Sequence, residues 1–359
     1  MILTRSPRRL TVVAAATALT LLAACGSEDD GATESADVAS ATPVVATTSI
    51  WADVTSNVGC GAEIPALIPA GADPHTFEAS LRDRELVESA TTVIANGLDL
   101  EEPILPMLDL AADQQGVNVI ELSIDVDVLM PDDDHDHDHD HDHDEDHQDE
   151  DHETEDHDED HETEDHEDHE DESHDGEGPS VDDHSHSHGE GGDPHVWQDP
   201  RRVSGTLDTI ATALAANEID TCVDEYRAEL EALDAEIESM LAAIPDDARV
   251  LVTSHESLAY FADRYGFEVV GTVIPSMTTM AETNAADLAE LAEEIEYHGV
   301  EVIFTEEQAS TAEADALADR LGVAVVPLVT DSLTDDPDRD TYVEMMRTNA
   351  TLIAEQLAP

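Results

Sequence analysis

Apolar and polar positions along this chain alternate in two periods, and the switches between them mark its elements. Short apolar, β-branched runs at 44–50 (VVATTSI), 63–69 (EIPALIP), 91–97 (TTVIANG) and 118–124 (NVIELSI) read as strands. A helix is predicted from Ser80, with Asp83 three residues on as its capping partner. Asp199-Pro200 opens another, Asp as N-cap and Pro as first helical residue. Tyr226, Leu230, Leu233, Ile237, Leu241 and Ile244 then recur at helical steps, one apolar stripe on a long helix ended by Pro245. Beyond it, ARVLVTS, FEVVGTVI, VEVIFTE and VAVVPLVT alternate with helical stretches, the last running to Leu357. Strands separated by helices of about a dozen residues predict an α/β fold of parallel sheets with right-handed crossovers. The 359 residues suffice for two such lobes, one on each side of the long helix, and no internal repeat stands out.

The alternation breaks over residues 131–192. Residues 132–147 read DDDHDHDHDHDHDEDH, and residues 132–190 hold 32 Asp or Glu, 15 His and no Lys or Arg. Such a stretch is too charged to pack and is expected to stay disordered. His135, His137, His139, His141, His143 and His147 read as weak auxiliary metal ligands, because a flexible chain must be ordered around each ion. A merely solubilising acidic spacer is the plainer alternative. The net charge of −75 is only partly due to this run, and every basic residue is Arg. Such a field repels nucleic acid and attracts cations.

The N-terminus belongs to no lobe. Arg5, Arg8 and Arg9 precede an apolar stretch (10–24) too short and Ala-rich for a membrane span. It ends in Leu22-Ala23-Ala24-Cys25, which resembles the lipobox of bacterial lipoproteins, followed by an acidic, Ala/Thr/Ser-rich tether over 26–43. The expectation is an exported protein, with residues 1–25 as signal peptide and lipidation at Cys25, held on the outer face of the cytoplasmic membrane. Cys60 and Cys222 then remain as a pair for a disulfide in an oxidising compartment, against the alternative of two unrelated thiols.

Four His lie outside the low-complexity run. His75 (GADPHTFEAS), His195 (GGDPHVWQDP) and His255 (VLVTSHESLAYFADRYG) each sit between a strand and the helix that follows. Asp331, after VAVVPLVT, occupies the same kind of place. Loops at the carboxyl ends of parallel strands are where such sheets bind ligands. Each residue alone has a bland explanation, as a hydrogen-bonded loop His or a turn Asp. His298, before Gly299, fits a helix C-terminus and is not counted as a ligand. Together, three imidazoles and one carboxylate without a thiolate make a four-coordinate set that suits zinc, whereas manganese usually prefers more oxygen. Four protein ligands leave no vacancy for substrate, which favours binding over catalysis.

The stretches IPAGADPHTFE (68–78), DPHVWQDP (193–200), VTSHESLAYFADRYG (252–266), VIFTEEQ (302–308) and VTDSL (329–333) resemble the substrate-binding subunits of ABC importers for zinc and manganese. The resemblance runs from about Val44 to Leu357. It implies two α/β lobes joined by one long rigid helix: an N-terminal lobe over 44–222 that contains the loop 131–192, the helix over 223–244, and a C-terminal lobe over 245–359. It implies a metal site between them, with His75 and His195 from the first lobe and His255 and Asp331 from the second. Glu256 is left as a supporting or alternative group. Zinc-type members of the family carry His at the third ligand position and a His-rich acidic loop before the second, as here. The implied role is extracytoplasmic capture of Zn2+ by a monomer, which delivers it to a permease driven by a separate ATPase; the chain itself has no Walker-type loop. Alternatives are a manganese or iron subunit of the same family, an extracellular metal buffer or adhesin, and a zinc hydrolase, although His-Glu-x-x-His is absent.

Overall fold

A computed structural model describes residues 43–130 and 191–359. The leader, Cys25, nearly all of the tether and the His-rich run with its six named histidines lie outside the described residues. Within them the order is β1 (Val44–Ala46), α1 (Ser49–Val58), α2 (Leu81–Ser89), β2 (Thr92–Ala95), α3 (Leu105–Gln115), β3 (Asn118–Glu121), α4 (Pro200–Ala216) and α5 (Val223–Leu241). The second half continues β4 (Val250–Thr253), α6 (Ala259–Tyr265), β5 (Glu268–Thr272), α7 (Ala285–His298), β6 (Val302–Glu306), α8 (Ala312–Leu321), β7 (Ala324–Leu328) and α9 (Tyr342–Leu357). The strands form two parallel sheets, ordered β1-β2-β3 and β5-β4-β6-β7, so the protein is an α/β structure of two lobes.

Both sheets are covered on both faces, and the residue alternation shows how. In β1, Val44 and Ala46 join a large apolar cluster while Val45 joins a smaller one. Ile94 and Val93 of β2 divide the same way. In the second sheet, Leu251 and Phe304 face the large cluster, and Val252 and Ile303 face a third. Successive side chains of a strand point to opposite faces, so each sheet places one face on a private layer and the other on a shared one. The private layers hold α2 and α3 residues in one lobe and α7 and α8 residues in the other. The shared layer is built from α1, α4, α5, α6 and α9, including Trp51, Leu207, Leu230, Phe261 and Met346. The expected stripe of α5 is buried along its whole length. One continuous core thus joins the lobes, which argues against a wide hinge motion.

Several boundaries differ from the sequence reading. The run at 44–50 leaves the strand after Ala46, because the Thr48 hydroxyl accepts from Trp51 N–H and starts α1, which the apolar pattern concealed. Residues 63–69 make only one bridge, Ala46 to Ala66. Pro65 and Pro69 have no N–H for a longer ladder. Residues 118–124 turn into a 3-10 helix after Glu121. The long helix ends at Leu241, three residues short of Ile244, where Arg249 donates to the Leu241 carbonyl. The Ser80–Asp83 capping box, the Asp199 N-cap and the left-handed Gly299 after His298 are formed. Pro327 is accommodated because β7 is an edge strand. Cys60, just past α1, and Cys222, the residue before α5, form a disulfide.

Candidate metal centre

Each of the four candidate residues is fixed by its own loop. In both Asp-Pro-His segments the Asp folds back on its own His. Asp73 Oδ1 accepts from His75 N–H at 2.8 Å, and Asp193 Oδ1 accepts from His195 N–H at 2.9 Å. Asp193 Oδ1 also lies 2.7 Å from His195 Nδ1. Asn96 Nδ2 and the Tyr260 hydroxyl bind the carbonyls of Pro194 and Asp193 on either side of that turn. His255 follows β4, and its Nδ1 contacts the carboxylate of Glu306 at the end of β6. The Ser254 hydroxyl donates to the same carboxylate at 3.0 Å. The Asp331 loop is held from the other lobe: Trp197 Nε1 and Gln198 Nε2 donate to Thr330 O at 2.7 and 3.1 Å, and Leu333 N–H donates to Ser49 Oγ at 2.9 Å.

These loops bring His75, His195, His255 and Asp331 together, one donor atom of each within 4.8 Å of the others, all buried. His195 Nε2 and His255 Nε2 are 3.2 Å apart. Asp331 lies 3.9 Å from the first and 3.7 Å from the second. The His75 ring centroid is 5.5 and 5.6 Å from those of His195 and His255. Among the described residues, His75 Nε2 and Asp331 Oδ1 have no hydrogen-bond partner. Buried polar atoms are rarely left so, because an unmade bond in a dry site costs roughly 1–3 kcal/mol.

Electrostatics reports the same lack. Burial, then the neighbouring His195 and His255, lowers the His75 pKa to about 2. Burial also disfavours charge on His255, but Asp331 and Glu306 outweigh it and raise that group to about 9. Burial and the Glu306 charge raise Asp331 to about 7. A cation placed among the four groups would relieve each shift: it takes the lone pair of His75, displaces the proton from His255 and compensates the carboxylate of Asp331. The arrangement is suited to holding a cation rather than to turning over a substrate, because four protein donors complete a tetrahedral shell.

Asp193 and Glu306 are supporting groups that the sequence reading did not assign. The two Asp of the Asp-Pro-His pairs read as turn formers, which they are, but Asp193 also orients its imidazole. Glu306 stood in the quoted VIFTEEQ stretch without a role; its place at the end of β6, next to β4, would have signalled it. Glu256, expected as a supporting group, is half-buried with its N–H on Ser276 O and is not among the four.

Fold and site suit a two-lobed solute-binding protein, with a buried cluster between the lobes that could hold a metal cation. The chain matches the family described as "Zinc-uptake complex component A periplasmic" (ZnuA) over residues 44–356, and it belongs to that family. It is similar to the "Manganese-binding lipoprotein MntA" of Halalkalibacterium halodurans, 22% identical with 94% of this chain and 95% of that protein covered. It is also similar to the "Zinc-binding protein TroA" of Treponema pallidum, 25% identical with 88% of each covered. The solved structure of the T. pallidum protein superimposes with a TM-score of 0.64 at 23% identity, covering 88% of this chain and 99% of that one, a likeness of fold. The protein is therefore an extracytoplasmic metal-binding component of an ABC importer, a carrier and not an enzyme.

Proposed function

We propose that the protein captures Zn2+ and delivers it to its permease, with His75, His195, His255 and Asp331 as the four ligands. The donor set carries this reading: three imidazole nitrogens and one carboxylate, with no thiolate and few oxygens. The lobes over 44–222 and 245–359 supply two ligands each, and the helix Val223–Leu241 joins them. Asp193 and Glu306 act by fixing the tautomer and raising the basicity of His195 and His255. Lipidation at Cys25 anchors the chain, and residues 26–43 give it reach from the membrane. A manganese reading is favoured by relatives named for manganese, such as the H. halodurans lipoprotein. Only one carboxylate among the four donors speaks against it. A competition titration of Zn2+ against Mn2+ on the purified protein is the test: tighter Zn2+ binding is expected, and tighter Mn2+ binding overturns the assignment.

A further inference from the structure

We propose that the cation reaches this centre through one portal, a half-open cavity of about 220 Å3 that ends on His75 and carries the carboxylates of Asp99 and Glu102 at its mouth. The proposal rests on the four residues being the binding site and adds the route by which they are filled.

The four groups are not equally placed. His75 lines the cavity, whereas His195, His255 and Asp331 do not. His75 is buried to 4% exposure, and its Nε2 has no hydrogen-bond partner among the described residues. His75, lining the cavity, is therefore the first of the four groups that an incoming cation meets. The outer end suits the same visitor. Asp99 and Glu102 are exposed, and among the described residues no Lys or Arg lines the cavity. Leu98 and Asp99 both adopt left-handed backbone conformations, φ 55° and 57°, which non-glycine residues seldom take. Such outliers concentrate at functional positions. A water occupies roughly 30 Å3, so a cation can enter with several waters and exchange them for protein donors in turn.

The mouth also joins the lobes. Asp99 and Glu102 lie between β2 and α3, whereas Met277 and Thr278 lie between β5 and α7. Beside them the Thr279 hydroxyl donates to Asp73 Oδ2 at 2.6 Å, next to the turn that carries His75. Gly191 and Gly192 line the same opening, and Asp193 N–H donates to Leu129 O at 2.9 Å. Leu129, before 131–190, thus bonds one residue beyond the glycines that line this mouth.

Stopped-flow mixing of the full chain with Zn2+ tests the route. Trp197 lies edge-on to His195 at 5.3 Å and is one of only two Trp, so its fluorescence follows filling of this centre. Asp99→Asn combined with Glu102→Gln is expected to lower the association rate constant several-fold at low ionic strength and to weaken its salt dependence. Thr278→Phe, which narrows the mouth, is expected to lower association and dissociation rate constants by a common factor. Glu290→Gln with Glu293→Gln, an equal charge change on α7, should alter neither. Wild-type association rates in both portal variants overturn the proposal and leave the binding site standing. So does faster dissociation in Thr278→Phe without slower association. Failure of the binding-site reading looks different: tight Zn2+ binding survives His195→Ala.

Discussion

His195 Nε2 and His255 Nε2 face each other across the two lobes at 3.2 Å, while the Nδ1 atom of each ring is engaged by a carboxylate. A carboxylate accepts, so each Nδ1 carries a proton and each Nε2 is left as the atom that faces a cation. At that distance the two Nε2 atoms share something positive: the extra proton that Asp331 and Glu306 favour on His255, or a metal ion that displaces it. A tetrahedral zinc with Zn–N near ~2.0–2.1 Å sets its donors roughly 3.3–3.4 Å apart, close to the spacing found.

Removing the supporting carboxylates should therefore weaken binding without touching a ligand. Glu306→Gln and Asp193→Asn are each expected to lower Zn2+ affinity by about 10–100-fold. A chromophoric chelator competition reads the affinity, and circular dichroism should show an intact fold. Wild-type affinity in both variants contradicts the roles given to them.

The disulfide should matter to stability rather than to metal. It closes a loop of sequence separation 162. Cys60 lies beyond the far end of α1 from Ser49, the residue that touches the Asp331 loop, about 15 Å along a helix of ten residues. Cys60→Ser with Cys222→Ser should reduce unfolding free energy by about 2–5 kcal/mol in urea titrations. Zn2+ affinity at 25 °C should stay near that of the native protein.

Asp53 gives a pH dependence independent of the metal. Burial raises its pKa from 3.8 to about 6, helped by Asp340 and Glu229 and opposed by hydrogen bonds from Tyr342 N–H and Asn57. The folded protein thus prefers the protonated acid. That contribution is complete below pH 3.8 and is lost as pH rises through about 6. Asp53→Asn keeps an uncharged group there, so it should gain stability over the wild type above pH 6 and lose that advantage near pH 4. Urea unfolding at pH 4.5 and 7.5 compares the two.

Much of this architecture was legible in the sequence because local signals and burial agree. The α5 stripe, the Ser80–Asp83 box and the apolar runs of the second sheet are each set by neighbours in the chain. The failures have equally physical causes. SIWADVTSNV forms α1 although its buried positions run almost all round, because it lies inside the shared core, and a helix buried on most sides lacks a polar face to announce it. The four site residues were recognisable as His or Asp after strands, each in a motif. Glu306 was not, since its role arises only from β6 pairing with β4, a contact between residues 51 positions apart. The cross-lobe hold of Trp197 and Gln198 on Thr330 is likewise a product of tertiary packing.

The central claim is that the tight site is the four buried residues and not the His-rich run. Equilibrium Zn2+ titration of the wild type, a deletion of residues 132–190, His195→Ala and Asp331→Ala tests it most directly. The account predicts that the deletion removes several weak sites and keeps one tight site, and that the two substitutions lose the tight site and keep the weak ones. Loss of the tight site on deletion, with its retention in His195→Ala, would contradict it.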